Sequence, residues 1–318
     1  MDFQAALDFL TGGEELVLTT HVNADGDGLG ALLGLSHWLE QKGQAYRIVV
    51  NDETPDQKFR FLPGFERIES YGMLTDRSPV SHFVVVDTPT MSEKRIGDVA
   101  GLNGAKTRTL VIDHHVSDDD EGDVQVIDSG ASAASELVYL LIRADGASVT
   151  EEMATCLYAG IAFDTKLFKY SHPKRALAAA AELAEYGVDP QEIAEELFTH
   201  QTYETVKTLG IALANMTLHK EGQICALYVD HATYTMGGDL DVVVDHAMSI
   251  DGVEVALFFK EESPGRQRVS LRSRGKVDVN RAARQFDGGG HMRASGCTIE
   301  GTVNEAHEQV LAAVSEQL

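Results

Sequence analysis

The sequence predicts an α/β fold, with an N-terminal domain built on a mainly parallel sheet flanked by helices and a smaller C-terminal α/β domain. Three observations carry this reading. Apolar runs without alternation, at residues 16–20, 82–86 and 109–112, suit strands buried on both faces, as parallel strands are. Strand and helix patterns then alternate from Leu16 to about Tyr186, and from Gln223 the chain turns strand-rich again.

Taken in order, residues 1–10 are acidic and amphipathic, which predicts a helix and argues against a signal peptide. The strand at 16–20 delivers His21 into a Gly-rich turn that carries Asp25 and Asp27. The run at 82–86 ends in Asp87, and the run at 109–112 ends in Asp113-His114-His115. The acidic stretch 118–123 reads as a solvated loop without a role. Residues 151–163 have helical spacing and run into Asp164. Gly187-Val-Asp-Pro190 is a break, with Asp189 as N-cap and Pro190 as first helical residue. The expected division is 1–187, a helical linker at 188–220, and 221–318. Strands are expected at 224–229, 253–259 and 268–272, helices at 280–286 and from Val303 onward, with a triple glycine between them.

Composition narrows the functional classes. The 318 residues suffice for two cores. A net charge of −24 repels nucleic-acid polymers at long range and disfavours a binder of long duplexes. Three widely spaced cysteines, Cys156, Cys225 and Cys297, suit a reducing compartment, so a cytoplasmic location is expected. No apolar run approaches a membrane span.

The chemistry lies in the residues that follow the strands. Open α/β sheets place their ligands at the carboxyl ends of strands, where His21, Asp25, Asp27, Asp87 and His114 all fall, and Asp164 can reach the same crevice. Four converging carboxylates would repel one another unless cations offset their charge, and two divalent ions match the count. Mixed imidazole and carboxylate donors suit Mn, Fe, Zn or Co better than Ca or Mg. A metal pair about 3.5–4 Å apart activates water and steadies an in-line displacement at phosphorus. Phosphoester hydrolysis is the expected reaction.

A second feature stands in the C-terminal part. Between Pro264 and Arg293 lie eight Lys/Arg against two acids, a local balance of +6 within a chain of −24. A basic island beside Gly288-Gly-Gly-His291 suits a phosphate-bearing ligand, since backbone N–H groups approach closely where no Cβ intervenes and arginine grips phosphate in a bidentate way.

These motifs, His21-Val-Asn-Ala-Asp25-Gly-Asp27, Val86-Asp87-Thr88, Asp113-His114-His115 and Asp164-Thr-Lys-Leu-Phe-Lys-Tyr170, resemble in order those of the DHH phosphoesterases. Ser270-Leu-Arg-Ser273 and Gly288-Gly-Gly-His291 resemble the DHHA1 domain of the same family. The likeness spans nearly the whole chain and is nearest to the compact nano-RNases, which degrade very short oligoribonucleotides and remove the 3′-phosphate of 3′-phosphoadenosine 5′-phosphate (pAp). It implies an active site in the cleft between the domains. It also implies two divalent ions, Mn²⁺ being the expected one: the first held by His21, Asp25, Asp87 and Asp164, the second by Asp27, Asp87, His114 and Asp164, with Asp87 and Asp164 as bridges. His115 would face the scissile phosphate and Asp113 would orient a neighbouring histidine. Arg272, Ser273, Gly289, Gly290 and His291 would hold the substrate, and a homodimer is implied as well. The chain departs from the family pattern at Ala24 (usually Pro), Ala31 (usually Ser) and Lys166 (usually Gly), none of them an expected ligand.

The expected function is therefore hydrolysis of oligoribonucleotides of two to five nucleotides and of pAp. A phosphodiesterase for cyclic dinucleotides or their linear products would use the same groups. A catalytically silent nucleotide sensor would have lost a ligand, and all six residue types are present. An inorganic pyrophosphatase ranks last, because Gly288-Gly-Gly-His291 suits a nucleotide-sized ligand.

Overall fold

The chain divides into two units, residues 1–200 and 201–318. In the first, the elements in order are α1 (Gln4–Leu10), β1 (Leu16–Thr19), α2 (Gly26–Gln41), β2 (Tyr46–Val50), β3 (Ile68–Ser70), β4 (His82–Val86), α3 (Glu93–Ile96), β5 (Arg108–Asp113), β6 (Val124–Ile127), α4 (Ala134–Asp145), α5 (Glu151–Asp164), α6 (Pro173–Ala184) and α7 (Pro190–Phe198). This computed structural model describes residues 2–116, 121–169, 173–199, 202–238 and 240–318, without the side chains of Pro173, Asp241, Val242 and His291. Tyr170 and the first three residues of the acidic stretch 118–123 thus lie outside the described residues.

The six strands form one parallel sheet in the order β3-β2-β1-β4-β5-β6. The apolar runs are continuous because both faces are covered. Leu16, Leu18, Val84 and Val86 pack under α2, α4 and α5, while Val17, Phe83 and Val85 meet Ile96, Val99 and Leu102 on the other side. The chain winds outward from β1 to β3, then returns to β4 on the opposite flank of β1. Such a reversal of strand order opens a crevice beyond the carboxyl ends of the two strands. The registers Thr19↔Val85 and Val86↔Ile112 bring the ends of β1, β4 and β5 to one level.

A glycine stripe sets the last approach. A Cβ at Gly26, Gly30 or Gly34 of α2 would lie 2.5 to 2.6 Å from Phe163, the Cys156 carbonyl or Leu157 of α5. Only glycine at this four-residue spacing lets α5 lie so close, and Asp164 ends that helix. Farther along, Asp189 caps α7 through the Gln191 N–H, with Pro190 in the first turn as the sequence predicts.

The second unit contains α8 (Tyr203–Ala214), β7 (Thr217–His219), β8 (Ile224–Val229), α9 (His231–Tyr234), α10 (Asp241–Met248), β9 (Val255–Ser263), β10 (Arg266–Ser273), α11 (Val279–Arg284), β11 (Gly289–His291), β12 (Ala294–Glu300) and α12 (Val303–Ser315). Its sheet runs β11-β12-β10-β9-β8-β7 and is antiparallel except between β8 and β9. Alternate residues of β8 and β9 feed two cores, one with α11 and α12 and one with α10. The glycines form an edge strand, with Gly289 and Gly290 opposite Gly296 and Ser295. A Cβ at Gly290, whose φ is +139°, would lie 2.5 Å from the Ala294 carbonyl, so close backbone packing accounts for this glycine.

Candidate metal centre

His21 leaves β1 with Nδ1 2.9 Å from the Val22 carbonyl oxygen. A proton donated there turns Nε2 toward the carboxylates, where it stands 3.4 Å from Asp87 Oδ2 and 3.7 Å from Asp25 Oδ1. Asp25 is the N-cap of α2, and its Oδ1 accepts the N–H groups of Asp27 and Gly28 at 2.9 and 3.2 Å. Asp27 is fully buried, with Oδ2 and Oδ1 accepting the N–H groups of Ala134 and Ser135 at 2.6 and 2.9 Å. The turn between His21 and Asp25 is tied down by Asp52, whose two carboxylate oxygens accept the Asn23 and Ala24 N–H groups at 2.8 and 2.7 Å. A proline at 24 could not donate that second bond, so Ala24 anchors the loop in a way the usual residue cannot.

Asp87 follows β4 with φ at +61°, a left-handed conformation that costs a non-glycine residue on the order of 1–3 kcal/mol. His114 Nε2 lies 3.3 Å from Asp87 Oδ1, 3.5 Å from Asp164 Oδ2 and 3.8 Å from Asp27 Oδ2. Asp113, at the end of β5, is fully buried and accepts both the backbone N–H of His115 at 3.1 Å and its ring Nδ1 at 2.8 Å. The six residues expected to bind metal thus converge. Their donor atoms fall into two triads, His21–Asp25–Asp87 and Asp27–His114–Asp164, and a third grouping joins Asp87, His114 and His115.

The electrostatics are those of an anionic cavity sharing too few protons. Burial opposes charge on His21, yet Asp25 and Asp87 outweigh it and push its pKa up to about 11. Burial likewise opposes charge on His114, but Asp87, Asp27 and Asp164 push it to about 10. Burial, followed by the charges of Asp87 and Asp164, raises Asp27 well above the usual carboxylate range. Burial also leads at Asp164, where the neighbouring Asp87 and Asp25 carboxylates add to it against His114, bringing it to about 6. Asp87 moves the other way: burial is overcome by His114 and His21, which hold it below the usual range.

The donor set fits divalent cations. Asp87 is 4 % exposed, and its Oδ1 is buried without a hydrogen-bond partner among the described residues. His114 Nε2 faces that oxygen at 3.3 Å without completing a hydrogen bond, and a buried carboxylate oxygen in this state is costly unless a cation meets it. Imidazole and carboxylate donors in two clusters are the chemistry of a transition-metal pair.

The residues expected in the second unit are more dispersed. Arg272 lies on the same face of β10 as Arg266 and Arg268, and its guanidinium donates to the Leu271 carbonyl at 3.2 Å. Ser273 faces the other way, buried, with its hydroxyl donating to the Val277 carbonyl at 2.7 Å, so it is committed to the local turn. Gly289 has open space at its Cβ position, and Gly290 and His291 belong to the same edge strand. The side chain of His291 lies outside the described residues. Much of the basic island is engaged: Arg266 and Arg268 face Glu262, Lys276 faces Glu254, and Arg274 donates to the Val253 and Met248 carbonyls.

Sequence reasoning missed several supports. Asp52 follows β2 with no motif of its own, although its place at a strand's carboxyl end was a usable signal. Asp123, read as part of a loop without a role, accepts the Thr109 N–H at 2.8 Å, and Glu121 accepts the Met91 N–H at 2.7 Å. Lys166 has φ at +49°, which explains why glycine suits that position, and its ammonium sits 4.2 Å from the Phe163 ring centre. A pocket of about 170 Å³ beside the metal triads is lined by Thr88, Pro89 and Arg95 together with His21, Asp25, Asp87, His115 and Asp164.

Comparison with known proteins agrees with this geometry. Residues 15–161 match the DHH family, N-terminal domain, and residues 221–318 match the DHHA1 domain. The bifunctional oligoribonuclease and PAP phosphatase NrnA of Thermus thermophilus is 31% identical over 95% of this chain and 90% of its own. The protein of the same name from Bacillus subtilis is 29% identical over 90% of each. Among solved structures, an exopolyphosphatase-related protein from Bacteroides fragilis superposes with a TM-score of 0.91 at 26% identity, covering 99% of this chain and 95% of that one.

Proposed function

Because the chain belongs to the DHH family of phosphoesterases, we propose that it hydrolyses phosphoester bonds in short nucleotides, releasing mononucleotides from oligoribonucleotides of two to five residues and converting pAp to AMP. The observation that carries this is the pair of triads that meet at the buried Asp87 carboxylate, with His21 and His114 each facing one of its oxygens. The names of the relatives support the substrate class.

In this reading His21, Asp25, Asp87 and Asp164 hold one divalent ion, and Asp27, Asp87, His114 and Asp164 hold the other, Mn²⁺ being the native metal. The ions supply activation of water and charge neutralisation at phosphorus. The protein's own contribution is preorganisation. Backbone N–H groups pin Asp25 and Asp27, so these carboxylates need little reordering when loaded. Asp113 grips the Nδ1 edge of His115, which directs its Nε2 edge to the scissile phosphate, where it steadies the departing oxygen. Arg272, with Gly289, Gly290 and His291, takes the far end of the substrate. The three free and buried cysteines suit a reducing cytoplasm.

The test is Mn²⁺-dependent turnover of pAp, a linear diribonucleotide, a cyclic dinucleotide and a long RNA, each with an EDTA control. Rapid cleavage of the first two with the long RNA spared is expected. Preference for the cyclic compound would replace this reading with a cyclic-dinucleotide phosphodiesterase, and absence of turnover would reject it.

A further inference from the structure

The pocket beside the triads has a wall that the metal-binding residues do not use. Arg95, on the short α3, is the one lysine or arginine lining it among the described residues. Its side chain is exposed, and no ion pair or side-chain hydrogen bond engages its guanidinium among the described residues. Its backbone carbonyl accepts the Val22 N–H at 2.8 Å, which fixes its Cα beside the loop that carries His21 and Asp25. Next to Asp87, Thr88 is 1 % exposed, and its Oγ1 is buried without a partner while the residue lines the same pocket. A cation with unused donors and a buried hydroxyl with unused capacity thus share one small, otherwise acidic pocket.

Both features call for the same ligand chemistry. A buried hydroxyl without a partner is costly, and a χ1 rotation that turns Thr88 Oγ1 into the pocket would let an oxygen-rich anion satisfy it. A guanidinium presents donors in the fork that matches two phosphoryl oxygens. We infer that Arg95 and Thr88 form a phosphoryl-oxygen subsite opposite the metal ligands, and that this subsite favours terminal phosphomonoesters over internal phosphodiesters. The charge difference gives the direction. Near neutral pH a phosphomonoester carries about −1.5 to −2, with a second pKa near 6, whereas a diester carries a single charge. In a chain of net charge −24, an additional phosphoryl charge needs a local cation more.

The inference rests on the proposed phosphoesterase function but is tested separately from it. Arg95→Ala should weaken inorganic phosphate binding to the Mn²⁺-loaded protein by about tenfold, the usual scale of one charge-assisted hydrogen bond, while Mn²⁺ affinity by calorimetry stays unchanged. Arg95→Lys should recover part of the loss. On the wild-type substrates, Arg95→Ala should lower kcat/KM for pAp about tenfold more than for a linear dinucleotide, and Thr88→Val should shift the same ratio in the same direction. Equal losses on both substrates, or phosphate binding unaffected by Arg95→Ala, would overturn the subsite. Wild-type protein that turns over neither substrate would reject the proposed function instead, and the phosphate-binding comparison would still decide the role of Arg95.

Discussion

At the carboxyl ends of β1, β4 and β5 the polar groups are buried or half-buried and the Asp25 and Asp27 carboxylates are held by backbone N–H groups, whereas on β10 the arginines project from an open strand face toward glutamates. Asp27 is 0 % exposed and receives two N–H donors, while the Arg266 and Arg268 side chains are 51 % and 60 % exposed and share Glu262. The difference separates two tasks. Holding cations near one another requires carboxylates fixed against mutual repulsion, and only a folded backbone supplies that rigidity. Gripping a flexible, solvated ligand end tolerates mobile arginines, whose exposed pairs contribute little to stability. Chemistry should therefore fail sharply when the first region is cut, and binding should fade gradually when the second is.

The largest contrast comes from Asp87→Ala, which should abolish turnover and release bound Mn²⁺ while leaving the protein folded. Loss measured by activity and by metal titration together would place the defect in ion retention. Activity within tenfold of wild type would remove Asp87 from the site.

The next effect is a pH dependence confined to the first region. In the metal-free protein His21 and His114 keep their protons up to about pH 11 and 10, but each must be neutral to bind an ion. Metal binding at neutral pH therefore releases protons. As pH falls, apparent affinity should fall by about tenfold per unit for each ion that displaces one proton. Calorimetry in buffers of different ionisation enthalpy measures that release, and a pH-independent affinity would contradict the proton-holding geometry.

The smallest effect is expected on β10. Arg272→Ala should raise KM by about tenfold with kcat nearly intact, the pattern of lost uniform binding, and Arg266→Ala should do less because its partners are Glu262 and Glu300. An equal loss of kcat in Asp87→Ala and Arg272→Ala would break the comparison outright.

The site was legible where residue type and strand position coincide. His21, Asp87 and His114 each terminate an apolar run, and a parallel sheet must present such residues at one edge, so their convergence follows from periodicity alone. The supports were less legible because they come from distant segments. The strand-end place of Asp52 hints at a role but does not say that it will accept the Asn23 and Ala24 N–H groups, and nothing near Ala134 says that its N–H will meet Asp27, a residue 107 positions away. The glycines after α11 were only partly legible for a related reason. Their run suits a phosphate-bearing ligand, and nothing local says that Gly290 is also required where β11 packs against β12.

The sequence by itself determined the α/β class, the parallel run of buried strands and the identity of the acid and imidazole groups, because hydrophobic period and strand-end chemistry are local properties. Tertiary structure decided which groups meet at each carboxylate, that Asp87 adopts φ +61° between His21 and His114, and that Arg95 and Thr88 share its pocket. Those depend on strand order and on how closely α5 approaches α2, quantities set by packing across the whole unit rather than by any stretch of chain.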